Sequence, residues 1–101
     1  MARYLVSHTV PGVTPEQIDQ ALAAYLIVCN QVPGVALQRG ACNATKGRIF
    51  CEVEAPDETA VVDSFRRINF PIDEIVPLER GYTPATGMVS YEEQGAARTS
   101  S

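Results

Sequence analysis

Few side chains in this 101-residue sequence are suited to chemistry near neutral pH, and they lie in two short segments. His8, the only histidine, belongs to RYLVSHTV, whereas Glu52 and Glu54 alternate in RIFCEVEA. An imidazole can bind a metal ion or move a proton near pH 7, and a carboxylate can complete either kind of site. If His8 and Glu52 share a sheet face and a level, the pair would bind a divalent ion or act as base and orienting group.

The three cysteines do not form a recognisable catalytic or metal-binding pattern. Cys29, Cys42 and Cys51 are neither two CxxC pairs nor a disulfide framework, and small free cysteines are usually core residues. The sequence also lacks the HExxH, G-x-S-x-G, phosphate-loop and dinucleotide motifs. No motif therefore names a reaction, and the sequence leaves open whether the protein is an enzyme.

Composition narrows the class of protein and its partners. The chain is 46% hydrophobic and 20% charged, and its net charge of -4 repels phosphate backbones, so nucleic acid is not an expected partner. No apolar run approaches the roughly 18 residues that span a membrane, and no signal-peptide pattern begins the chain, so a cytoplasmic location is predicted. We expect one domain over residues 1–80 and an extension over 81–101. The extension should be disordered from Glu92, and the alternative for residues 82–91 is that they cross to a partner subunit.

A hairpin centred on Gly47 organises the predicted sheet. Side chains from Ile49 to Ala55 alternate between apolar and polar, which is typical of a half-buried strand. Glycine at positive φ suits a three-residue hairpin loop, which would pair Ala41 with Cys51 and Leu37 with Ala55. A two-residue loop, less favoured, would instead move the pairing by one residue and reverse the faces.

The register decides which residues share a sheet face. The less favoured loop would pair Cys42 with Cys51 and Arg39 with Glu54. The favoured register places the following residues of the second and third strands on the face away from the helices: Gln38, Gly40, Cys42, Phe50, Glu52 and Glu54. The first strand adds one of two sets to that face: His8 with Tyr4 and Val6, or Leu5 with Ser7 and Thr9.

The first helix has the clearest local signals. Thr14 is a good N-cap, Pro15 suits the first helical position, and Gln17 can complete a capping box. The helix should reach about Asn30. Its predicted inward stripe, at spacings of three and four, comprises Ile18, Leu22, Tyr25, Leu26 and Cys29.

The remaining elements complete an α+β fold. Asp57 should cap a second helix that ends near Asn69, and residues 72–80 should form a last strand in which Pro77 favours a sheet edge. The order strand, helix, strand, strand, helix, strand predicts a ferredoxin-like βαββαβ sandwich, with an antiparallel sheet in the order 4-1-3-2 and both helices on one face. The uncovered face predicts a homodimer that packs sheet to sheet.

The segment GRIFCEVEAPDETAVVDSFRRINFPIDEIVPLE, residues 47–79, resembles a family of small bacterial proteins of mostly unknown function. The resemblance lies in Phe50-Cys51, in Glu54-Ala55-Pro56, and in Pro71 followed by Asp73-Glu74-Ile75. It covers roughly the first 80 residues and includes the start RYLVSH. One branch of the family contains nickel-binding proteins with a dimeric ferredoxin-like fold, so the resemblance implies that fold and nickel as a cofactor.

The sequence departs from the nickel-binding branch in its histidines. That branch is rich in histidine, whereas VALQRGACN and SFRRINFP here contain none. We predict a homodimer that binds a metal ion or a small molecule near His8, Gln38, Glu52 and Glu54, with His8 and Glu52 as the metal ligands. The alternatives are a dimeric α/β-barrel enzyme that acts on an apolar organic substrate, with His8 or Glu52 as base, and an interaction module that uses its sheet face.

Overall fold

The structure is a computed structural model, and it describes residues 1–91. Its strands and helices, in chain order, are β1 (Ala2–Thr9), α1 (Pro15–Gln31), β2 (Ala36–Asn43), β3 (Arg48–Ala55), α2 (Glu58–Arg66), β4 (Glu74–Leu78), β5 (Arg80–Thr83) and β6 (Gly87–Ser90). The first four strands form an antiparallel sheet in the order β2-β3-β1-β4, which is the predicted 4-1-3-2 read from the other edge. The disorder predicted from Glu92 concerns residues outside the described range.

Both helices begin at the predicted caps. The Thr14 hydroxyl accepts from the Gln17 backbone N–H at 3.2 Å, and the Gln17 side chain accepts from the Thr14 N–H at 3.0 Å, which completes the capping box. The Asp57 carboxylate caps α2 by accepting from the Ala60 N–H at 2.8 Å, without a capping box. That helix ends at Arg66, earlier than predicted, and neither helix of the described residues is long and apolar enough to cross a membrane.

The helix α1 is rotated relative to the predicted stripe. Tyr25 is buried as expected, but Val28 is buried and Leu26 is exposed. The Tyr25 ring stacks on Phe65 of α2 with centroids 4.2 Å apart and planes within 8°, and its hydroxyl lies 2.9 Å from the Ser64 hydroxyl. This contact orients α1, and the stripe prediction was wrong for Leu22 and Leu26, which are 45% and 48% exposed.

The β2–β3 hairpin has the predicted glycine but a longer loop. Gly47 has φ 64°, and its N–H donates to Ala44 at 3.0 Å. The loop comprises four residues, 44–47, so Ala41 pairs with Phe50, and both predicted registers were wrong near the loop. The Gly47 carbonyl accepts from the Val10 N–H at 2.8 Å, which ties the loop to the end of β1 and stabilises its length.

A β-bulge at Gln38 then shifts the hairpin register a second time. Leu37 pairs with Val53 instead of the predicted Ala55, whereas Arg39 pairs with Glu52. Because two one-residue shifts restore the original alternation, Leu37 still lies on the side of the helices and packs against the core. Residues between the bulge and the loop lie on the opposite side from the prediction.

The two sides of the sheet differ sharply in burial. The helix face carries Tyr4, Val6 and Val53, which are buried against α1 and α2 in the hydrophobic core. The open face is the opposite side, and it carries the following alternate residues of β1 and β3: Arg3, Leu5, Ser7, Phe50, Glu52 and Glu54.

The described part of the extension forms a hairpin that the sequence did not predict. The strands β5 and β6 pair with each other in a separate two-stranded sheet. The Tyr91 N–H donates to the Glu79 carbonyl at 2.8 Å, and the Tyr91 ring passes close over Gly81, where it leaves no room for a side chain. The Arg3 guanidinium lies 4.5 Å from the centre of the same ring, so the hairpin returns the chain to the open face.

Candidate functional site

His8 lies on the helix face and is fully buried. It pairs with Ile49 of β3, and its ring packs against Phe65 and Phe70 at centroid distances of 4.7 and 4.8 Å. Its Nδ1 lies 2.7 Å from the Pro71 carbonyl oxygen. Because a carbonyl can only accept, Nδ1 carries the proton and Nε2 presents a lone pair.

The Nε2 atom of His8 has no hydrogen-bond partner among the described residues. Burial lowers the pKa of His8, and the hydrogen bond to Pro71 and the nearby Asp73 charge oppose that effect less strongly. The imidazole is therefore neutral at pH 7. The bond from His8 to Pro71 is one of three that attach the segment before β4 to β1. In the other two, the Asp73 N–H donates to the Ser7 carbonyl at 2.8 Å and the Thr9 hydroxyl donates to the Asp73 carboxylate.

Glu52 lies on the opposite side of the sheet from His8. Glu52 pairs with Leu5, whereas His8 pairs with Ile49, three residues earlier on β3. Because successive side chains of a strand point to opposite faces, Ile49 faces the helices and Glu52 faces away from them. The structure does not bring His8 and Glu52 together. The predicted pair, whether as metal ligands or as base and orienting group, is not formed within the described chain.

Glu52 and Glu54 are brought together with an arginine that the sequence analysis missed. Arg3 Nη1 lies 3.1 Å from Glu52 and Nη2 lies 3.3 Å from Glu54, while Arg39 lies 3.7 Å from Glu52. The side chains of Arg3 and Glu52 are only 16% and 11% exposed, whereas Arg39 is 71% exposed. The antiparallel pairing of Arg3 with Glu54 was the available signal, because cross-strand neighbours of opposite charge attract.

Apolar side chains flank this charged cluster on the open face. Leu5 pairs with Val76 of β4, and Phe50 pairs with Ser7, two positions further along β1 on the same face. The three side chains are 36%, 37% and 37% exposed in the order Leu5, Val76 and Phe50. The Arg48 guanidinium lies 5.2 Å from the centre of the Phe50 ring and partly covers it.

The second strand contributes differently from the prediction. Gln38 is exposed at the bulge. Gly40 pairs with Cys51 and Cys42 pairs with Ile49, so both residues lie on the helix face and the prediction that they share the open face was wrong. The reason is the four-residue loop, which reverses the alternation between the loop and the bulge.

A cavity of about 300 Å³ lies on the helix face between α1 and the β2–β3 hairpin. Its lining is almost wholly apolar and includes Tyr25, Phe65 and Phe70. The mouth carries Asp19 and Cys42, both exposed. This cavity is therefore on the other side of the sheet from the Arg3 cluster.

The donor groups do not fit a nickel ion. Among residues 1–91 no group of three or more His, Cys, Asp or Glu side chains could hold a metal ion. His8 supplies one sealed nitrogen, and both glutamates already pair with Arg3. Burial raises the pKa of the Cys29 thiol and raises that of Cys51 to about 11, so neither is a ready thiolate. Nickel prefers several nitrogen or sulfur donors at one place.

Comparison with known proteins identifies relatives of this chain. The model of a family described as nickel responsive protein SCO4226-like matches residues 4–78. The crystal structure of SCO4226 from Streptomyces coelicolor A3(2) is similar, with a TM-score of 0.69 and 28% sequence identity over 76% of this chain and 95% of that chain. No curated protein matches the chain.

Proposed function

Because the chain belongs to the family of SCO4226-like nickel responsive proteins, we propose that it is a cytoplasmic, non-enzymatic binding protein that works as a ferredoxin-like homodimer. The observation that carries the proposal is the open face. It combines three partly exposed apolar side chains with a charged cluster whose members already pair with one another.

The apolar side chains of the open face favour contact with a second copy of the chain over contact with water. Covering Leu5, Phe50 and Val76 removes apolar surface from solvent, which favours association by roughly 25 cal/mol per Å² buried. A two-fold axis sets the same patch against itself, so each side supplies both apolar residues and charges. The exposed Arg39 beside Glu52 would then find carboxylates on both sides of the interface.

A binding role fits the ionisable groups better than catalysis does. A general base needs an accessible lone pair near its substrate, but His8 is sealed by two phenylalanine rings. The carboxylates of Glu52 and Glu54 are already paired with the Arg3 guanidinium at 3.1 and 3.3 Å. We therefore propose that Glu52 and Glu54 shape the interface, that Gln38 lies at its edge, and that His8 attaches the start of β4 to the sheet.

The nickel response that the family name implies would not depend on a metal site within one chain, because the donor set does not fit the ion. Equilibrium dialysis of the full chain against micromolar Ni²⁺, with thermal melting of the same samples, tests this. We expect less than one nickel ion per chain and an unchanged melting temperature. One tightly held ion per chain, lost in the variant His8→Asn, would overturn this part of the proposal.

The homodimer is tested by measuring mass in solution. Light scattering should give twice the chain mass for the natural protein and a single chain mass for Phe50→Glu, because a buried unpaired carboxylate is costly. Ile27→Glu is the matched control, since Ile27 is an exposed apolar residue of α1 on the other side of the sheet, and this variant should stay dimeric. A natural protein of single chain mass, or dimer loss in the control alone, contradicts the proposed interface.

A further inference from the structure

The cavity under α1 arises from small side chains at facing positions. On the sheet side, Gly40 has no side chain and Cys42 has a short one, where the neighbouring strand carries Cys51 and Ile49. On the helix side, the rotation of α1 directs Ala21 towards the cavity. Because protein interiors normally pack without voids of this size, a cavity of about 300 Å³ that opens at the surface has the dimensions of a small-molecule site.

The walls favour a flat aromatic ligand. Tyr25 and Phe65 stack on each other, and Phe70 lies 6.5 Å from Phe65, so three rings line the inner part of the cavity. Aromatic rings attract one another in offset and edge-to-face arrangements beyond the gain from burial alone. The polar atoms inside are already occupied or neutral, because the Tyr25 hydroxyl bonds to Ser64 and burial keeps the Cys51 thiol protonated.

The charges around the cavity exclude anions. Among residues 1–91 no lysine or arginine lines it, and the single charged lining residue in that range is Asp19 at the mouth. A carboxylate ligand would lose its hydration without gaining a cation and would meet a like charge at the mouth. An ammonium group would meet the opposite charge while staying in contact with water.

We propose that the cavity under α1 binds a small aromatic molecule that carries no negative charge, with its polar or cationic end towards Asp19. This inference rests on the binding role proposed above but not on the dimer, since the cavity lies on the other side of the sheet. It assigns the ligand to the helix side instead of the space between two sheets.

Three probes of similar size test the proposal on the full chain: 2-(1-naphthyl)ethylamine, 2-(1-naphthyl)ethanol and the anion of 1-naphthaleneacetic acid, called the acetate below. Titrations followed by amide NMR should show saturable shifts at Ala21, Gly40 and Cys42 with the amine and the alcohol. The His8 ring signals should move as well, because His8 packs behind Phe65 and Phe70. The acetate should bind at least about fivefold more weakly than the alcohol, which corresponds to about 1 kcal/mol.

Matched variants distinguish this cavity from unspecific binding. Ala21→Leu should fill the cavity and weaken the alcohol at least about tenfold, as expected for losing contacts worth over about 1.4 kcal/mol. Ala23→Leu adds the same atoms on the exposed side of α1 and should leave binding unchanged. Asp19→Asn should remove the preference for the amine over the alcohol without weakening the alcohol.

Three results would overturn the proposal: no shifts with either the amine or the alcohol, equal binding by Ala21→Leu and Ala23→Leu, or tighter binding of the acetate. Shifts of the same amides on raising protein concentration without a probe would also overturn it, because they would assign the cavity to a contact between copies. Light scattering on the same samples separates this failure from failure of the proposed homodimer.

Discussion

The two faces of the main sheet give the His8 imidazole and the carboxylates of Glu52 and Glu54 opposite environments. On the helix face, the His8 imidazole is neutral and desolvated; it makes one hydrogen bond, to the Pro71 carbonyl, and packs against two phenylalanine rings. On the open face, Glu52 and Glu54 share Arg3 within 3.3 Å. The sheet thus separates an uncharged packing residue from a charged, partly exposed cluster.

Residues of suitable chemistry on neighbouring strands do not form a site unless their side chains point to the same face of the sheet. His8 and Glu52 lie on neighbouring strands, yet the period of two along a strand puts them on opposite sides. Without that separation, the pair could have bound a metal ion or moved a proton. The helix face instead offers an apolar cavity, and the open face carries the charged cluster and three partly exposed apolar side chains.

The largest expected effect is a difference in stability between variants of an aromatic residue on each face. Phe65→Ala should destabilise the protein by about 3–5 kcal/mol, because Phe65 is buried and its ring contacts both Tyr25 and His8. Phe50→Ala should cost the isolated chain under about 1 kcal/mol, because the ring is already partly in water. Urea unfolding of both variants measures the difference.

Protein concentration sharpens that comparison. Any additional loss in Phe50→Ala should grow at higher protein concentration, where the proposed dimer would be most stabilised. The loss in Phe65→Ala should not depend on concentration in this way. Equal losses in the two variants at low concentration would contradict the difference between the faces.

An intermediate effect concerns the charged cluster. Arg3→Met should cost about 1–3 kcal/mol, between the values for exposed and buried ion pairs, because it removes the cation between Glu52 and Glu54. Arg39→Met should cost at most about 0.5 kcal/mol, since Arg39 is largely exposed. The measurement is urea unfolding at pH 7.

A double variant shows whether charge is the cause. Adding Glu52→Gln to Arg3→Met should recover part of the lost stability, because it neutralises one of the two carboxylates that have lost the Arg3 guanidinium. No recovery, or an equal cost for Arg39→Met, would show that Arg3 acts through packing against Tyr91 and not through its ion pairs.

The smallest effect is a pH dependence on the helix face. Folded His8 has a lowered pKa, while an unfolded histidine has a pKa of about 6.5, so the unfolded state binds more protons in acid. Stability should be fully retained above about pH 6.5 and fall below it, by at most about 1.4 kcal/mol per pH unit from this residue. Thermal melts between pH 7 and pH 5 measure the slope.

The variant His8→Asn isolates this titration. A carboxamide can still donate to the Pro71 carbonyl but does not take up a proton, so the melting temperature should change less between pH 7 and pH 5. Identical slopes in the variant and the natural protein would mean that groups other than His8 account for the acid sensitivity.

Local signals predicted the elements of the fold well. The capping box at Thr14, the cap at Asp57 and the positive φ of Gly47 were confirmed, because each depends on residues within a few positions. The sheet order was also confirmed, with the Pro77 strand at an edge where the missing N–H is tolerated. The likeness to the nickel-responsive family was confirmed by the match over residues 4–78.

The candidate site could not be predicted in the same way. Loop length, the bulge at Gln38 and the rotation of α1 decide which face each residue occupies. One residue more in the loop moved Gly40 and Cys42 to the helix face and so opened the cavity. A shift of one position costs little in local propensity but reverses every side chain, so local rules do not choose between the alternatives.

The amino-acid sequence by itself determined where the helices and the four strands of the main sheet lie, because hydrophobic period, caps and turn glycines act within a few residues. Only the tertiary structure decided that His8 is sealed, that Arg3 joins Glu52 and Glu54, and that a cavity lies under α1. These outcomes depend on contacts between residues more than 35 positions apart, such as the bond from Val10 to Gly47 and the stacking of Tyr25 on Phe65. Such contacts form only when the whole sheet and both helices pack together.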